Sequence, residues 1–215
     1  YAVAAQRHGV PPEVLYAVAL TESKIPLAHG LRPWPWTLNV AGKSYYFETR
    51  AEACEALTRA LFETEVIDVG VAQLNLRWQP QLFGAGNRFV DPCDALDPYA
   101  NLDEAAKLLR SHYDASGSQD WVAAAGRYHR PAGGAPAARY RRVVAANIER
   151  LDDGTRQVDA AGGVQFASAE NVSLSAASST TATAVEPEPL TADTSLVWVA
   201  PLKPAQWVDP ERRWD

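Results

Sequence analysis

Pro11-Pro12-Glu13-Val14-Leu15-Tyr16-Ala17-Val18-Ala19-Leu20-Thr21-Glu22-Ser23 is the stretch whose reading decides the fold. Prolines are tolerated in the first turn of a helix, and Glu13 suits the positive end of its dipole. The pattern predicts a helix running to about Ser23. Leu15, Val18, Ala19 and Glu22 then fall at i, i+3, i+4 and i+7, so Glu22 shares the apolar stripe. A carboxylate on an inward stripe is desolvated, and desolvation raises its pKa. Such an acid is either a core group satisfied by a cap or hydrogen bond, or a proton donor.

The same rules locate further helices outward from this one. Thr49-Arg50-Ala51-Glu52 fits a capping box and opens a helix with Cys54, Leu57 and Leu61 on one face. Asn101 to Tyr113 reads as a helix with Leu102, Ala105, Ala106, Leu109 and Tyr113 inward, ending near Ser116-Gly117. Ser118 can cap a fourth, whose stripe is Trp121, Ala124, Ala125 and Tyr128. A last helix, about Pro136 to Leu151, turns Tyr140, Val143, Val144, Ile148 and Leu151 inward. Between Trp36 and Phe47, Thr37–Val40 and Ser44–Phe47 flank a turn at Ala41-Gly42-Lys43 and read as one short hairpin. The expectation is a mostly α domain with a small β-hairpin, followed by a low-complexity C-terminal tail.

Charge marks the boundary of that domain. The chain has 215 residues, 47% hydrophobic and 21% charged, with a formal net charge of −6. Residues 1–151 hold 16 acidic and 16 basic side chains; residues 152–215 hold 10 and 4. We read 1–151 as a folded domain and 152–215 as an acidic, Ala/Ser/Thr-rich linker or tail, because such a composition buries too little apolar surface to offset chain entropy. Ser195–Leu202, with Trp207 and Trp214 beyond it, is apolar again and suits either a strand docking back on the domain or a partner-binding peptide.

Composition also excludes. The acidic balance argues against nucleic acid as partner, and no apolar run is long enough to span a bilayer. Two cysteines and four scattered histidines offer no metal-ligand spacing. A phosphate loop and a nucleophile-elbow serine are also missing, so no cofactor is expected. The chain contains no methionine, which implies a processed form with any export signal already removed.

Three motifs occur in order along residues 3–150: Glu22-Ser23 at a helix end, Gly70-Val71-Ala72-Gln73, and Gly126-Arg127-Tyr128-His129. Together they resemble the soluble-transglycosylase type of lytic transglycosylase, within the lysozyme-like superfamily. That family shows Glu-Ser, Gly-Leu-Met-Gln and Ala-Tyr-Asn in these places. Here Ala72 stands for the Met and His129 for the Asn, with Arg127 before Tyr128. Ile67-Asp68-Val69-Gly70, with Gln73 and Asn75, and the Arg32-Pro33-Trp34-Pro35-Trp36 loop look most like members attached to conjugation and secretion systems.

The resemblance implies a lysozyme-like α+β domain that cuts the bond between N-acetylmuramic acid and N-acetylglucosamine in peptidoglycan. Glu22 would serve as the single general acid and base, and the product would be a 1,6-anhydro sugar. Ser23 would orient the carboxylate or simply cap the helix; Gln73 would hold a sugar amide or satisfy its own loop. The Tyr128 hydroxyl would reach Glu22, and Gly70 and Asn75 would support the site. Trp34, Trp36, Tyr45, Tyr46 and Trp78 offer flat faces for sugar rings, one or two of which suffice. Glu65 and Asp68 are read as loop or cap residues. A periplasmic or exported location follows from the substrate, with a conjugation or secretion complex as a partner through the tail. Disulfides persist there, so Cys54 and Cys93 are expected to be bridged, the alternative being two buried thiols. A peptidoglycan hydrolase of lysozyme type and a non-catalytic glycan-binding scaffold are the rival readings.

Overall fold

The computed structural model of the chain describes residues 1–28 and 30–160, with side chains through Leu151. Of the expected tail, 152–215, the part from 161 onward, with its terminal Trp-containing segment, lies outside the described residues. The described part is a largely helical α+β fold with small antiparallel sheets. Among the described residues no helix is long and apolar enough to cross a membrane, and no group of His, Cys, Asp and Glu side chains is arranged to hold a metal ion.

A short α1 (Ala2–His8), absent from the sequence expectation, ends at Gly9 in the left-handed conformation. Then α2 (Pro12–Ser23) runs through the middle of the molecule. Val14, Leu15, Ala17, Val18, Ala19, Leu20 and Ser23 are all buried. The helix is thus apolar nearly all round, wider than the expected stripe, as a central helix must be. Pro26 stops it, since the residue before a proline avoids helical geometry. The chain turns directly into β1 (Lys24–Leu27), paired antiparallel with β2 (Gly30–Pro33). This hairpin was not foreseen; its Arg32-Pro33 end was read as loop.

The expected hairpin is present as β3 (Thr37–Val40) and β4 (Lys43–Tyr46), but as half of a larger sheet. After α3 (Arg50–Ala60), opened by the Thr49–Glu52 capping box, come β5 (Ile67–Val69) and β6 (Leu74–Asn75). The strand order is β4-β3-β5-β6, all antiparallel. Asp68 is therefore a strand residue and neither loop nor cap. Cys54 on α3 is bonded to Cys93 in the 3-10 turn Pro92–Leu96, with Cα atoms 5.2 Å apart. Closing that loop constrains the unfolded chain by roughly 3–4 kcal/mol.

Three helix boundaries differ from expectation. Helix α4 (Pro98–Ser116) starts a turn early because the Asp97 side chain accepts from the amides of Tyr99 and Ala100. Asn101 is thereby moved from a helix end into a buried second turn. Helix α5 (Trp121–His129) is capped by Asp120 and not by Ser118. Helix α6 (Gly134–Ala160) begins two residues early and continues nine past Leu151. Within it Tyr140 and Val144 are buried, whereas Val143 is 41% exposed, against expectation. Packing of α6 on α5 is close at Gly126, where a Cβ would sit 2.7 Å from the Arg141 stem.

The turn from Gly70 to Gln73 joins β5 to β6 inside the fold. Gly70 has φ +79°, and a Cβ there would lie 2.5 Å from Asn101 Nδ2 and 2.7 Å from the Ala95 carbonyl oxygen. Gly70→Ala is therefore expected to lower unfolding free energy by roughly 2–4 kcal/mol, through both strain and clash. A denaturant midpoint equal to that of the parent chain would contradict this packing.

Candidate functional site

A buried turn has backbone groups that water cannot reach, so side chains must satisfy them. Three helices supply those side chains at residues 69–73. From α2, Ser23 Oγ donates to the Val71 carbonyl at 2.7 Å. From α4, Asn101 donates to the carbonyls of Val69 (2.9 Å) and Ala95 (2.8 Å) and accepts from the Ala72 amide (2.8 Å). From α5, the Tyr128 hydroxyl donates to the Ala72 carbonyl at 2.6 Å. Gln73 itself has φ +53° and turns its side-chain amide back onto the Gly70 carbonyl at 2.8 Å.

This arrangement departs from the carboxylate contacts expected of Ser23 and Tyr128, and matches the alternative that Gln73 satisfies its own loop. The Ser23 hydroxyl is spent on the turn and on the Ala19 carbonyl, not on the carboxylate. Tyr128 hydrogen-bonds the turn instead of Glu22. The Gln73 amide nitrogen satisfies its own loop. These residues hold the site's floor; they do not carry its proton.

Glu22 meets a different tyrosine. The Tyr140 hydroxyl of α6 donates to Glu22 Oε1 at 2.7 Å. Glu22 as a residue is half-buried, while protein encloses its carboxyl group. Burial is the main reason its pKa is pushed up to about 8; the negative charge of Asp68 adds to the rise, while the Tyr140 hydrogen bond and Lys24 oppose it. Tyr140 is held well above its ordinary value by burial first and then by Glu22, so it remains a donor. A carboxyl that stays protonated through neutral pH on a half-buried residue is equipped to give a proton to an oxygen that reaches it.

The sheet beside Glu22 is two-faced. Side chains alternate across a strand, and the register places Tyr45, Leu38, Val69 and Leu74 in one row. The last three are fully buried, so this row faces the core. The adjacent row is Ser44, Asn39, Asp68 and Asn75, on the opposite face. It is polar throughout. Asn39 donates to Ser44 Oγ at 3.3 Å and Asn75 to Asp68 Oδ1 at 2.7 Å. Burial raises the Asp68 pKa and the Asn75 bond partly offsets it. Strands stand about 4.8 Å apart, so this row presents hydroxyl, amide and carboxylate groups at nearly even steps, and its Asp68 lies within electrostatic reach of Glu22.

The expected aromatic platforms separate. Trp34 is 3% exposed and its indole N–H donates to the Phe47 carbonyl at 2.7 Å, so it is a core residue. Trp36 is half-buried and meets Trp34 edge-to-face. Tyr45 belongs to the core row. Tyr46 is half-buried on β4, two residues from Ser44 and on the same face. Trp78 is 70% exposed, with the Arg77 guanidinium over its ring. Of these rings Trp78 has the most open face, while Trp36, Tyr45 and Tyr46 are all half-buried. Two surface grooves, about 660 and 360 Å³, lie on the α5–α6 side and include neither Glu22 nor the polar row.

Sequence reasoning missed Tyr140, Asn101 and Asn39 as polar contributors. Asn101 shared a stripe with Ala105 and Leu109, and a lone amide at helical spacing among apolar residues was the available signal. Nothing in the sequence distinguished the hydroxyl of Tyr140 from that of Tyr128. No known family profile, curated protein or solved structure matches the chain.

Two titrations check this electrostatic picture. Tyr140→Phe removes a bond that favours the charged form, so the Glu22 midpoint should rise above about 8, by roughly one pH unit. A carboxyl whose folded pKa lies above its unfolded value loses stability as pH climbs through that window. Glu22→Gln should therefore stabilise the fold at pH 9 by roughly 2–4 kcal/mol and leave it nearly unchanged at pH 4. Equal effects at both pH values would mean that Glu22 is not held protonated.

Proposed function

We propose that the chain is a lytic transglycosylase of lysozyme-like fold acting on peptidoglycan strands. The observation that carries the reading is one carboxyl, Glu22, kept protonated at neutral pH within electrostatic reach of Asp68, which belongs to a row of sugar-compatible polar groups. The residues 121–151 add support, since they hold six arginines and one acid, a balance suited to an anionic polymer. The Cys54–Cys93 bridge fits an exported or periplasmic setting. The segment 152–215 is the part we assign to a conjugation or secretion partner.

In this mechanism Glu22 donates its proton to the glycosidic oxygen between N-acetylmuramic acid and N-acetylglucosamine. The anomeric carbon gains oxocarbenium character as that bond breaks. Glu22, now a carboxylate accepting from Tyr140, takes the proton of the 6-hydroxyl on the same muramic residue. That oxygen bonds to the anomeric carbon and yields the 1,6-anhydro sugar, with the departing chain carrying the first proton away. Most glycosidases need a second carboxylate for nucleophile or base; here the substrate supplies its own nucleophile.

One observation favours the hydrolytic alternative. Asp68 lies close enough to raise the Glu22 pKa, and it sits in the polar row of the sheet. As a carboxylate it would stabilise the positive sugar in either reaction, and in a hydrolase it would activate water or attack the sugar itself. A non-catalytic scaffold would have no use for a carboxyl poised in this way.

Product analysis separates these readings. Digestion of purified peptidoglycan should release muropeptides with anhydro ends by mass spectrometry, and Glu22→Gln should reduce their release by roughly 10²–10⁴-fold. Reducing ends in their place, lost with Asp68→Asn, would establish the hydrolase. No release from the parent chain would leave only binding. The cleavage rate should decline as pH rises through about 8, where Glu22 loses its proton.

A further inference from the structure

The Tyr140 hydroxyl lowers the Glu22 pKa only while it points at the carboxylate. Its ring is buried on α6, and one face meets a residue that neither the charge analysis nor the mechanism uses. The His129 imidazole, last residue of α5, lies over that ring with centroids 4.5 Å apart and planes 3° from parallel. The rest of His129 is exposed. An offset, parallel stack of this kind favours one ring orientation over its neighbours. Spinning a tyrosine ring about its long axis leaves the hydroxyl oxygen in place; a turn about Cα–Cβ carries it away from an acceptor 2.7 Å off, and a ring packed flat on one face blocks that swing toward its side.

We propose that His129 is a positioning residue: its imidazole plane holds the Tyr140 ring in the orientation that keeps the hydroxyl donating to Glu22. His129 itself stays neutral at neutral pH, because burial and the adjacent Arg130 both push its pKa down. The stack is therefore between two uncharged rings, and the plane of the imidazole, more than its charge, does the holding. Charged and titratable groups around Glu22 are Tyr140 on α6, Asp68 on β5, Lys24 at the start of β1 and Tyr128 on α5. None of these touches the outer face of the Tyr140 ring in place of His129.

A second mode of action must be separated from this one. His129 also shields the ring from water, and admitting water would lower the Glu22 pKa by relieving desolvation. The two modes move the Glu22 titration in opposite directions, which makes the assignment testable without turnover.

The experiment is a carboxyl carbon-13 NMR titration of Glu22 in the full chain, for the parent, His129→Ala, His129→Phe, Tyr140→Phe, and Tyr140→Phe combined with His129→Ala. His129→Ala should raise the Glu22 midpoint by roughly half a pH unit, part of the one to two units that a hydrogen bond to a charged group carries. His129→Phe keeps a flat ring and should restore the parent midpoint. In the Tyr140→Phe background His129→Ala should shift nothing, since the effect runs through the hydroxyl. An unchanged midpoint in His129→Ala, a fall, or a shift that persists without the hydroxyl would each overturn the proposal. His129 is exposed, so its variants should keep the amide spectrum of the parent; if His129→Ala does not, the His129→Phe titration decides, and a midpoint displaced from the parent's refutes a role for the ring plane. The inference takes its meaning from Glu22 as the acid of the proposed reaction, but its readout does not require cleavage. Absence of anhydro products with the expected titrations would sink the function and leave the positioning role standing.

Discussion

The Asn101 side chain is the constraint on which the site depends. It sits in a helix, fully buried, and uses its carbonyl and both amide hydrogens on three backbone groups from two other segments. A buried amide that lost one of these partners would cost about 1–3 kcal/mol. The same bonds fix the turn at residues 69–73, and through it the end of α2 and the inner edge of the sheet. Glu22 is the residue just before Ser23, which grips that turn; its position follows from the grip. A proton donor needs such rigidity, because its pKa depends on distances that a loose loop would not keep.

Two polar networks meet at this point with different duties. One is closed: Ser23, Asn101, Tyr128 and the Gln73 amide nitrogen bond to main-chain groups. The other is more open: Asn39 and Asn75 each accept from a backbone amide and donate to Ser44 and Asp68 along the sheet, while Glu22 accepts from Tyr140. The closed set costs little electrostatically because every group is neutral. The open set also concentrates two carboxyls near each other, which is unfavourable for folding and adds to the larger effect of burial on Glu22.

Much of the fold was legible because local chemistry is decisive where it is strong. The Pro11-Pro12 start, the Thr49–Glu52 capping box and the Ala41-Gly42 turn each specify their element within a few residues. The four-stranded sheet was harder to see, since β5 and β6 are short and their partners lie far away in sequence. Of the site, Glu22 was legible from its place on an apolar stripe. The bonding of Tyr128, Tyr140 and Ser23 was not, because which of several hydroxyls reaches a given oxygen is set by how helices cross. Trp34 was misjudged for a related reason: a proline-flanked Trp reads as an exposed platform, and only the tertiary fold shows its N–H turned inward to Phe47.

Helix α6 carries Tyr140 near its beginning and runs on to Ala160. At 1.5 Å per residue, those twenty residues make a rod about 30 Å long. Helices are stiff along their axes, so an axial pull at the far end would arrive almost undiminished at the hydroxyl touching Glu22. The Asn147–Thr21 hydrogen bond, at 3.0 Å, is a second latch between the same two helices and would resist that slide. A pull on the Ala160 end of α6 would thus be felt at the Tyr140 hydroxyl, whose bond opposes the burial-driven rise of the Glu22 pKa.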